Sequence, residues 1–378
     1  MIFAEQEYKE GARANRRAAG IRIIANPGSV RAFQTHLEAL DLLQHVAIVE
    51  NADATTFTLN DERMLAWIPG FDTTTLSTKL ELDTFGSARD FERETLLAML
   101  AAPRPFDFPN YDELAAALRI RRNIAWAAYR TQLAFETSAA ERPSEYWTYD
   151  EDTSFTILPG KSLIAALKTA TQPDISGKLY SFSCYRATEY VILLGIAEEL
   201  AEHNPALYQS LCRRWEKRAI MSGLFHEVFL REYGSLAEPI PPAYYVPGDR
   251  VWFRNPDAYS SDVSGFEGSW VFYMGGGLFS NFWNRQHFTM QTKCVEIYHW
   301  RDGVYTDANG DLRMNEDIVG ERAHETLADP EKCARVMAAM MKLRDGPGIY
   351  EDGGCIDASR EFPLQVCPGT AEIVIPEA

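Results

Sequence analysis

The stretch SFSCYRATEYVILLGIAEEL, residues 181–200, carries the strongest structural signal in this chain of 378 residues. The segment from Ser183 to His203 is predicted to be the most apolar helix of the protein. Cys184 stands at its beginning, where the helix dipole is positive and lowers the pKa of a thiol. Backbone N–H groups there can also stabilise a developing oxyanion. Cys184 is therefore a candidate nucleophile, and the alternative is a small thiol buried at the start of a core helix.

Further helices and strands are predicted on both sides of this segment. A long helix from Tyr111 to Ala134 is indicated by Asn110 as a cap, with Glu113 three residues later. The other predicted helices run from Ser29 to His45 and from Pro330 to Arg344. The predicted strands cover residues 57–59, 64–68, 251–253, 270–274 and 294–300. Three glycines at 275–277 lack the Lys-Ser/Thr of a phosphate loop and predict a tight turn.

A proline-rich segment, PRPFDFP at residues 103–109, is predicted to be a linker. It divides the chain into residues 1–102, an N-terminal extension that is a regulatory or assembly module, and residues 103–345, the main domain. Residues 346–378 are rich in glycine, proline and acidic residues, and an irregular C-terminal tail is predicted there.

Four stretches in the main domain, taken in order, resemble the bacterial spore-coat type of protein-glutamine gamma-glutamyltransferase, or transglutaminase. They are FDF at 106–108 with 114–128, YW at 146–147 with LPGKS at 158–162, SFSC at 181–184, and GDRVWFRNPD at 248–257. The resemblance covers about half of the chain and describes a divergent member. It implies an α+β fold with a papain-like (NlpC/P60-like) core, in which the nucleophilic cysteine heads a helix packed on an antiparallel sheet. Residues 1–102 would then be an added α/β extension.

The resemblance also implies a reaction. Cys184 would attack the carboxamide of a protein glutamine, release ammonia and hold a thioester, which a lysine amine resolves to an isopeptide bond. The partners would be proteins that bear glutamine and lysine, and neither a metal nor an organic cofactor is needed. Two alternatives stay open: a catalytically disabled papain-like binding or scaffold protein, and a thiol amidase or deamidase in which water resolves the thioester.

The sequence departs from the family pattern at the partner of the cysteine. Residues 266–270 read FEGSW, which puts Ser269 where the family has its catalytic glutamate. A second family glutamate, immediately before the cysteine, becomes Ser183, and a His-Gly further on becomes Phe282-Trp283. A thiol needs a neighbouring base to ionise and to pass a proton to the leaving amine, and serine cannot act as one near neutral pH.

Three interpretations of this departure stay open. Glu267, two residues before the vacant position, acts as the base if the strand bulges or shifts its register. Alternatively, His299 on the late predicted strand takes over. In the third interpretation the chain has lost transfer activity. Glu267 as a plain turn carboxylate and His299 as a structural histidine are the simpler assignments for these two residues.

Composition and charge narrow the function classes. The formal charge of −17 disfavours nucleic acid as a partner and attracts lysine-bearing partners. No apolar run approaches the roughly 20 residues of a membrane helix, and the acidic start lacks the basic region of a signal peptide, so a cytoplasmic protein is predicted. The six cysteines form no CxxC pair, which disfavours a thiolate zinc site. Cys355 and Cys367 could form a disulfide in an oxidising setting, but their spacing in the sequence does not show whether they do. The oligomeric state stays open.

Overall fold

The computed structural model describes residues 18–24, 26–135, 140–220, 224–343 and 354–375, which form a mixed helix and sheet fold. The strands are β1 (Ile21–Ile24), β2 (Val46–Glu50), β3 (Ala54–Leu59), β4 (Phe106–Phe108), β5 (Trp147–Asp150), β6 (Ser154–Ile157), β7 (Leu230–Tyr233), β8 (Arg250–Arg254), β9 (Gly268–Gly275), β10 (Leu278–Phe279), β11 (Phe288–Thr289), β12 (Val304–Thr306), β13 (Leu312–Met314) and β14 (Arg360–Pro363). The helices are α1 (Pro27–Ala39), α2 (Asp61–Trp67), α3 (Leu76–Lys79), α4 (Ala88–Leu100), α5 (Tyr111–Arg130), α6 (Leu163–Thr171), α7 (Pro173–Ser176), α8 (Cys184–His203), α9 (Pro205–Trp215), α10 (Leu224–Phe229), α11 (Ala258–Ser261), α12 (Met290–Gly303), α13 (Glu316–Ala328) and α14 (Pro330–Met340). Short 3-10 turns lie at Leu43–His45 and Pro69–Phe71.

The first sheet has four strands in the order β2-β3-β1-β4. Strand β4 pairs in parallel with β1, so that Ile21 lies opposite Phe106. The predicted linker at 103–109 therefore contains a strand, and that part of the prediction is wrong. Apolar residues of α1, α4 and α5 share one core with this sheet. The first sheet and its core thus include residues on both sides of residue 102, where the sequence suggested a domain boundary.

The second sheet has six strands in the order β11-β10-β9-β8-β14-β7, and all its neighbouring pairs are antiparallel. Strand β14 comes from the segment for which an irregular tail was predicted, and that prediction is wrong for residues 360–363. Here Glu361 lies opposite Glu232 of β7 and Arg250 of β8. The buried carboxylate of Glu113 fixes the chain beyond this strand by accepting the N–H groups of Val366 and Cys367 at 3.0 and 2.9 Å.

Helices α5 and α8 pack on each other and both contact β9. Gly195 of α8 permits their close approach, because a Cβ atom at this position would lie 2.6 Å from Cγ1 of Ile124. Arg121 of α5 also donates to Asp249, in the turn before β8, at 2.7 Å, and both side chains are buried. The two segments that carry much of the family resemblance are therefore joined by a buried ion pair.

Two predicted strands are helices. Residues 64–68 lie in and directly after α2, whose first turn is capped by the Asn60 side chain and carries two acidic residues. Residues 294–300 lie in α12, which begins with a capping box between Thr289 and Thr292. In α12 the fully buried positions Cys294 and Ile297 recur at helical spacing, and this outweighs the β-branched and aromatic content of the segment.

The turn predicted at the three glycines is confirmed. The glycines at 275–277 form a tight turn between β9 and β10, and all three have positive φ, which glycine adopts without strain. The N–H of Gly276 donates to the buried Glu94 at 2.9 Å, which fixes this turn to α4. Cys355 lies 3.6 Å from Cys294 and forms no disulfide with Cys367. Across the described residues, no helix has the length and apolar character needed to cross a membrane.

Candidate active site

Cys184 is the first residue of α8, as the sequence predicts. Ser183 is the N-cap, and its hydroxyl accepts the N–H of Arg186 at 3.2 Å. A serine at this position therefore has a structural role, because it satisfies an N–H group that has no partner within the helix. The Cys184 side chain is half-buried, at the junction of α8 with the second sheet.

The free edge of β9 provides the surroundings of the thiol. Phe272 exchanges hydrogen bonds of 2.9 Å with Ser280, on the side away from β8. Because N–H direction alternates along a strand, the N–H of Trp270 points to the same side. Strand β10 pairs with β9 only at Tyr273 and Gly275, so it leaves this N–H without a strand partner, and the N–H lowers the pKa of the Cys184 thiol.

The net electrostatic effect on Cys184 opposes the sequence prediction. Burial raises the pKa of the thiol, and this effect outweighs the hydrogen bonds from the backbone of Trp270 and Tyr185, which lower it. The positive charge of Lys293 also lowers the pKa of the thiol, and the negative charge of Glu267 raises it. The thiol is therefore protonated near neutral pH, and its ionisation requires a base.

Glu267 lies just before β9 and is the carboxylate whose charge acts on Cys184. Its side chain is exposed and accepts the N–H of Gly265 at 3.3 Å. The pairing of β8 with β9 runs without a register shift from Arg250–Phe272 to Arg254–Gly268. The bulge that the sequence prediction required is therefore absent from this pairing, and Glu267 acts on the thiol by its charge from the loop before the strand.

Ser269 lies on β9 opposite Phe253. Side chains alternate between the two faces of a strand, so Ser269 shares a face with Val271 and Tyr273. That face packs against α12, since Val271 and Tyr273 belong to one core with Cys294 and Ile297. The backbone of Ser269 therefore runs past the Cys184 thiol, whereas its side chain points towards helix α12.

His299 is a structural histidine. It lies on α12, and its Nδ1 is 2.6 Å from Asp302 and its Nε2 is 2.7 Å from Thr326. Both ring nitrogens are engaged and the residue is buried, so His299 has no nitrogen available as a base for Cys184. At the position of the family His-Gly, Phe282 is part of the core and Trp283 packs on Phe135.

The sequence argument missed Lys293. This residue is buried on α12, with its ammonium group 4.2 Å from the centroid of the Phe288 ring and 3.5 Å from Glu296. A lysine directly before a predicted strand gave no signal of its role, and helical periodicity would have placed it on the buried side of α12 next to Cys294.

The sequence also gave no signal for a cavity of about 500 Å³ that Trp270 lines. Trp270 connects this cavity with Cys184, because its N–H lowers the pKa of the thiol. Glu267, Trp252 and Arg250 are also in the lining. The cavity combines two indole rings with several carboxylates, a combination that suits an alkylammonium group.

Comparisons with known proteins identify the family of this chain. The family model described as protein-glutamine gamma-glutamyltransferase matches residues 71–343. The chain therefore belongs to the transglutaminase family, and the match begins well before residue 103. The chain is also similar to a solved transglutaminase from Geobacillus stearothermophilus (without its C-terminal extension), with 19% identity and a TM-score of 0.38 over 56% of this chain and 98% of that one. No curated protein sequence matches.

Proposed function

We propose that this protein is a cysteine acyltransferase that joins protein glutamine to lysine on a papain-like core. The observation that carries the proposal is the position of Cys184, at the start of α8 and against the unpaired N–H of Trp270, in a chain of the transglutaminase family. A helix headed by cysteine that packs on an antiparallel sheet supports the papain-like assignment.

In the proposed reaction the sulfur of Cys184 attacks the carbonyl carbon of a glutamine carboxamide. The carbonyl oxygen gains negative charge, and the N–H groups of Tyr185 and Trp270, which act on the thiol, are the proposed donors to it. The C–N bond then breaks, ammonia leaves with the proton that the thiol lost, and a thioester remains. A lysine amine attacks the thioester, the C–S bond breaks, and the thiol takes back a proton as the isopeptide bond forms.

Glu267 is the proposed proton carrier in both halves of this cycle. A thiol whose pKa is raised by burial gives up its proton only to a nearby base, and the charge of Glu267 acts on this thiol. The side chain of Glu267 is exposed and accepts one hydrogen bond at 3.3 Å, so it can turn towards the sulfur. Lys293 supports the thiolate by its positive charge. Ser269 contributes backbone rather than side-chain chemistry.

A second candidate is a binding protein with a disabled site. The raised pKa of the Cys184 thiol and the serine at position 269 favour it. A thiol amidase or deamidase is the related enzymatic alternative, in which water resolves the same thioester.

One assay separates the three functions. A glutamine-bearing peptide is incubated with a fluorescent primary amine, and both amine incorporation and ammonia release are measured. The proposal predicts both signals in the wild type, none in Cys184→Ala, and both in Cys212→Ala, which removes the other half-buried thiol. Ammonia without incorporation would establish the amidase. Absence of both signals over a range of peptides would establish the binding protein and contradict the proposal.

A further inference from the structure

Arg250 is a buried cation beside the candidate site that the proposed chemistry does not use. It begins β8, its side chain is 1% exposed, and its guanidinium Nη1 donates to the hydroxyl of Thr188, one turn into α8, at 3.3 Å. Its Nε donates to Glu361 of β14. A guanidinium group this deep in the protein is retained only with partners that fix its orientation.

The two aromatic residues at the thiol lie against this guanidinium. Its central carbon is 5.1 Å from the ring centroid of Tyr185 and 4.6 Å from that of Trp270. The two rings also meet edge to face, with centroids 5.4 Å apart. These are the same two residues whose backbone N–H groups lower the pKa of the Cys184 thiol. Arg250 therefore contacts the side chains of Tyr185 and Trp270, and the backbone of these two residues faces the nucleophile.

Arg250 is held in turn by a chain of charges that reaches the surface. Glu361, with its side chain 12% exposed, accepts from Arg250 through one oxygen and lies 2.9 Å from Nδ1 of His226 through the other. His226 is on α10 and is 36% exposed. The charged groups that act on His226 are Glu361, Arg250 and Glu232. The order from solvent to site is His226, Glu361, Arg250, and then the Tyr185–Trp270 pair.

We propose that Arg250, held by Glu361 and His226, is the positioning residue that fixes Tyr185 and Trp270 and thereby the two N–H groups that face Cys184. Arg250 touches no reacting atom, and its effect passes through the two rings. The importance of Arg250 for catalysis rests on the proposed function. Its effect on the reactivity of the Cys184 thiol does not depend on transfer activity and can be measured without it. Each partner comes from a different element, so the arrangement joins β8, β14 and α10 to the start of α8.

The test is the pH profile of Cys184 alkylation by iodoacetamide in full-length protein, followed on the Cys184 peptide by mass spectrometry. Arg250→Lys keeps the positive charge but loses the planar fork that holds Glu361 and Thr188 together. Its expected profile is shifted to higher pH, because looser N–H groups stabilise the thiolate less. Arg119→Lys is the matched control, because Arg119 also donates to a buried glutamate, Glu199 of α8, but does not line the cavity, and its profile is expected to match the wild type.

Glu361→Gln gives the sharper result, because a pure charge effect and a positioning effect predict shifts of the alkylation profile in opposite directions. Removal of a negative charge by itself shifts the profile to lower pH, whereas release of Arg250 shifts it to higher pH. A shift to higher pH supports the proposal, and a shift to lower pH or an unchanged profile overturns it. If neither buried variant folds, His226→Gln at the half-exposed end of the chain decides the matter, because the proposal expects a smaller shift in the same direction and an unchanged profile contradicts it.

Transfer assays add a second reading that separates this inference from the proposed function. If the wild type transfers acyl groups, Arg250→Lys is expected to lower kcat about tenfold or more, with KM for the glutamine peptide within about twofold, since positioned backbone donors act mainly in the transition state. A loss confined to KM overturns the positioning role. If the wild type transfers nothing, the proposed function fails, and the alkylation profiles still decide the role of Arg250.

Discussion

Glu267→Gln is the substitution that separates a catalytic carboxylate from a charge that merely lies near the thiol. The carboxylate of Glu267 raises the pKa of Cys184, so its removal lowers that pKa and increases the thiolate fraction near pH 7. Alkylation of Cys184 by iodoacetamide is therefore expected to become faster. If Glu267 carries the proton between thiol and leaving amine, transfer is expected to fall by about 100- to 10,000-fold. That loss corresponds to about 2.7–5.4 kcal/mol of activation free energy.

The two readouts thus move in opposite directions, and this makes the prediction refutable. Both are measured on one preparation, with amine incorporation for transfer and peptide mass spectrometry for alkylation. Glu321→Gln is the control, because Glu321 is an exposed carboxylate on α13, outside the cavity that Glu267 and Trp270 line, and it is expected to change neither rate by more than about twofold. Transfer that stays level, or rises together with alkylation, would show that Glu267 acts only through its charge.

Three further predictions test other parts of the account. Lys293→Met removes a positive charge that lowers the pKa of Cys184, so the alkylation profile should move to higher pH. An unchanged profile would mean that the charge does not act on the thiol. Ser269→Glu, introduced into Glu267→Gln, should not restore the lost crosslinking, because the side chain at position 269 points towards α12. Recovery of crosslinking would contradict that orientation. Asp249→Asn leaves the buried Arg121 without its counter-ion and should cost about 3–5 kcal/mol in urea unfolding. Asp107→Asn breaks the exposed ion pair with Arg22 and should lower the free energy of unfolding by at most about 1 kcal/mol. Equal losses for Asp249→Asn and Asp107→Asn would refute the assignment of Arg121 and Asp249 as a buried ion pair.

The sequence was informative where local signals and packing agree. The helix of Cys184 was predicted from Ser183 to His203 and runs from Cys184 to His203, with Ser183 as its N-cap. The apolar character of the segment made this possible, because the helix lies between α5, α6 and the sheet. Helix α12 was missed because β-branched and aromatic residues at 295–300 resemble a strand, although the Thr289–Thr292 capping box was present in the sequence.

Long-range pairing was beyond the reach of the sequence. Strand β14 has four residues and ends in Pro363, so it shows no alternation, and only its pairing with β7 makes it a strand. His226 and Glu361 are far apart along the chain, and nothing local indicates that they meet next to Arg250. The direction of the Cys184 pKa was also predicted wrongly, because the helix dipole is a local feature, whereas the burial that outweighs it is produced by the whole fold.

The central claim is that the sulfur of Cys184 becomes acylated by glutamine. Intact-protein mass spectrometry of an acid-quenched reaction with a glutamine peptide, in the absence of any added amine, tests this claim most directly. The account predicts a species heavier by the peptide minus ammonia, which maps to Cys184, is discharged by hydroxylamine or a lysine amine, forms in Cys212→Ala and is missing from Cys184→Ala. An adduct on another residue, or no adduct from any glutamine peptide under conditions where iodoacetamide modifies Cys184, would contradict the account.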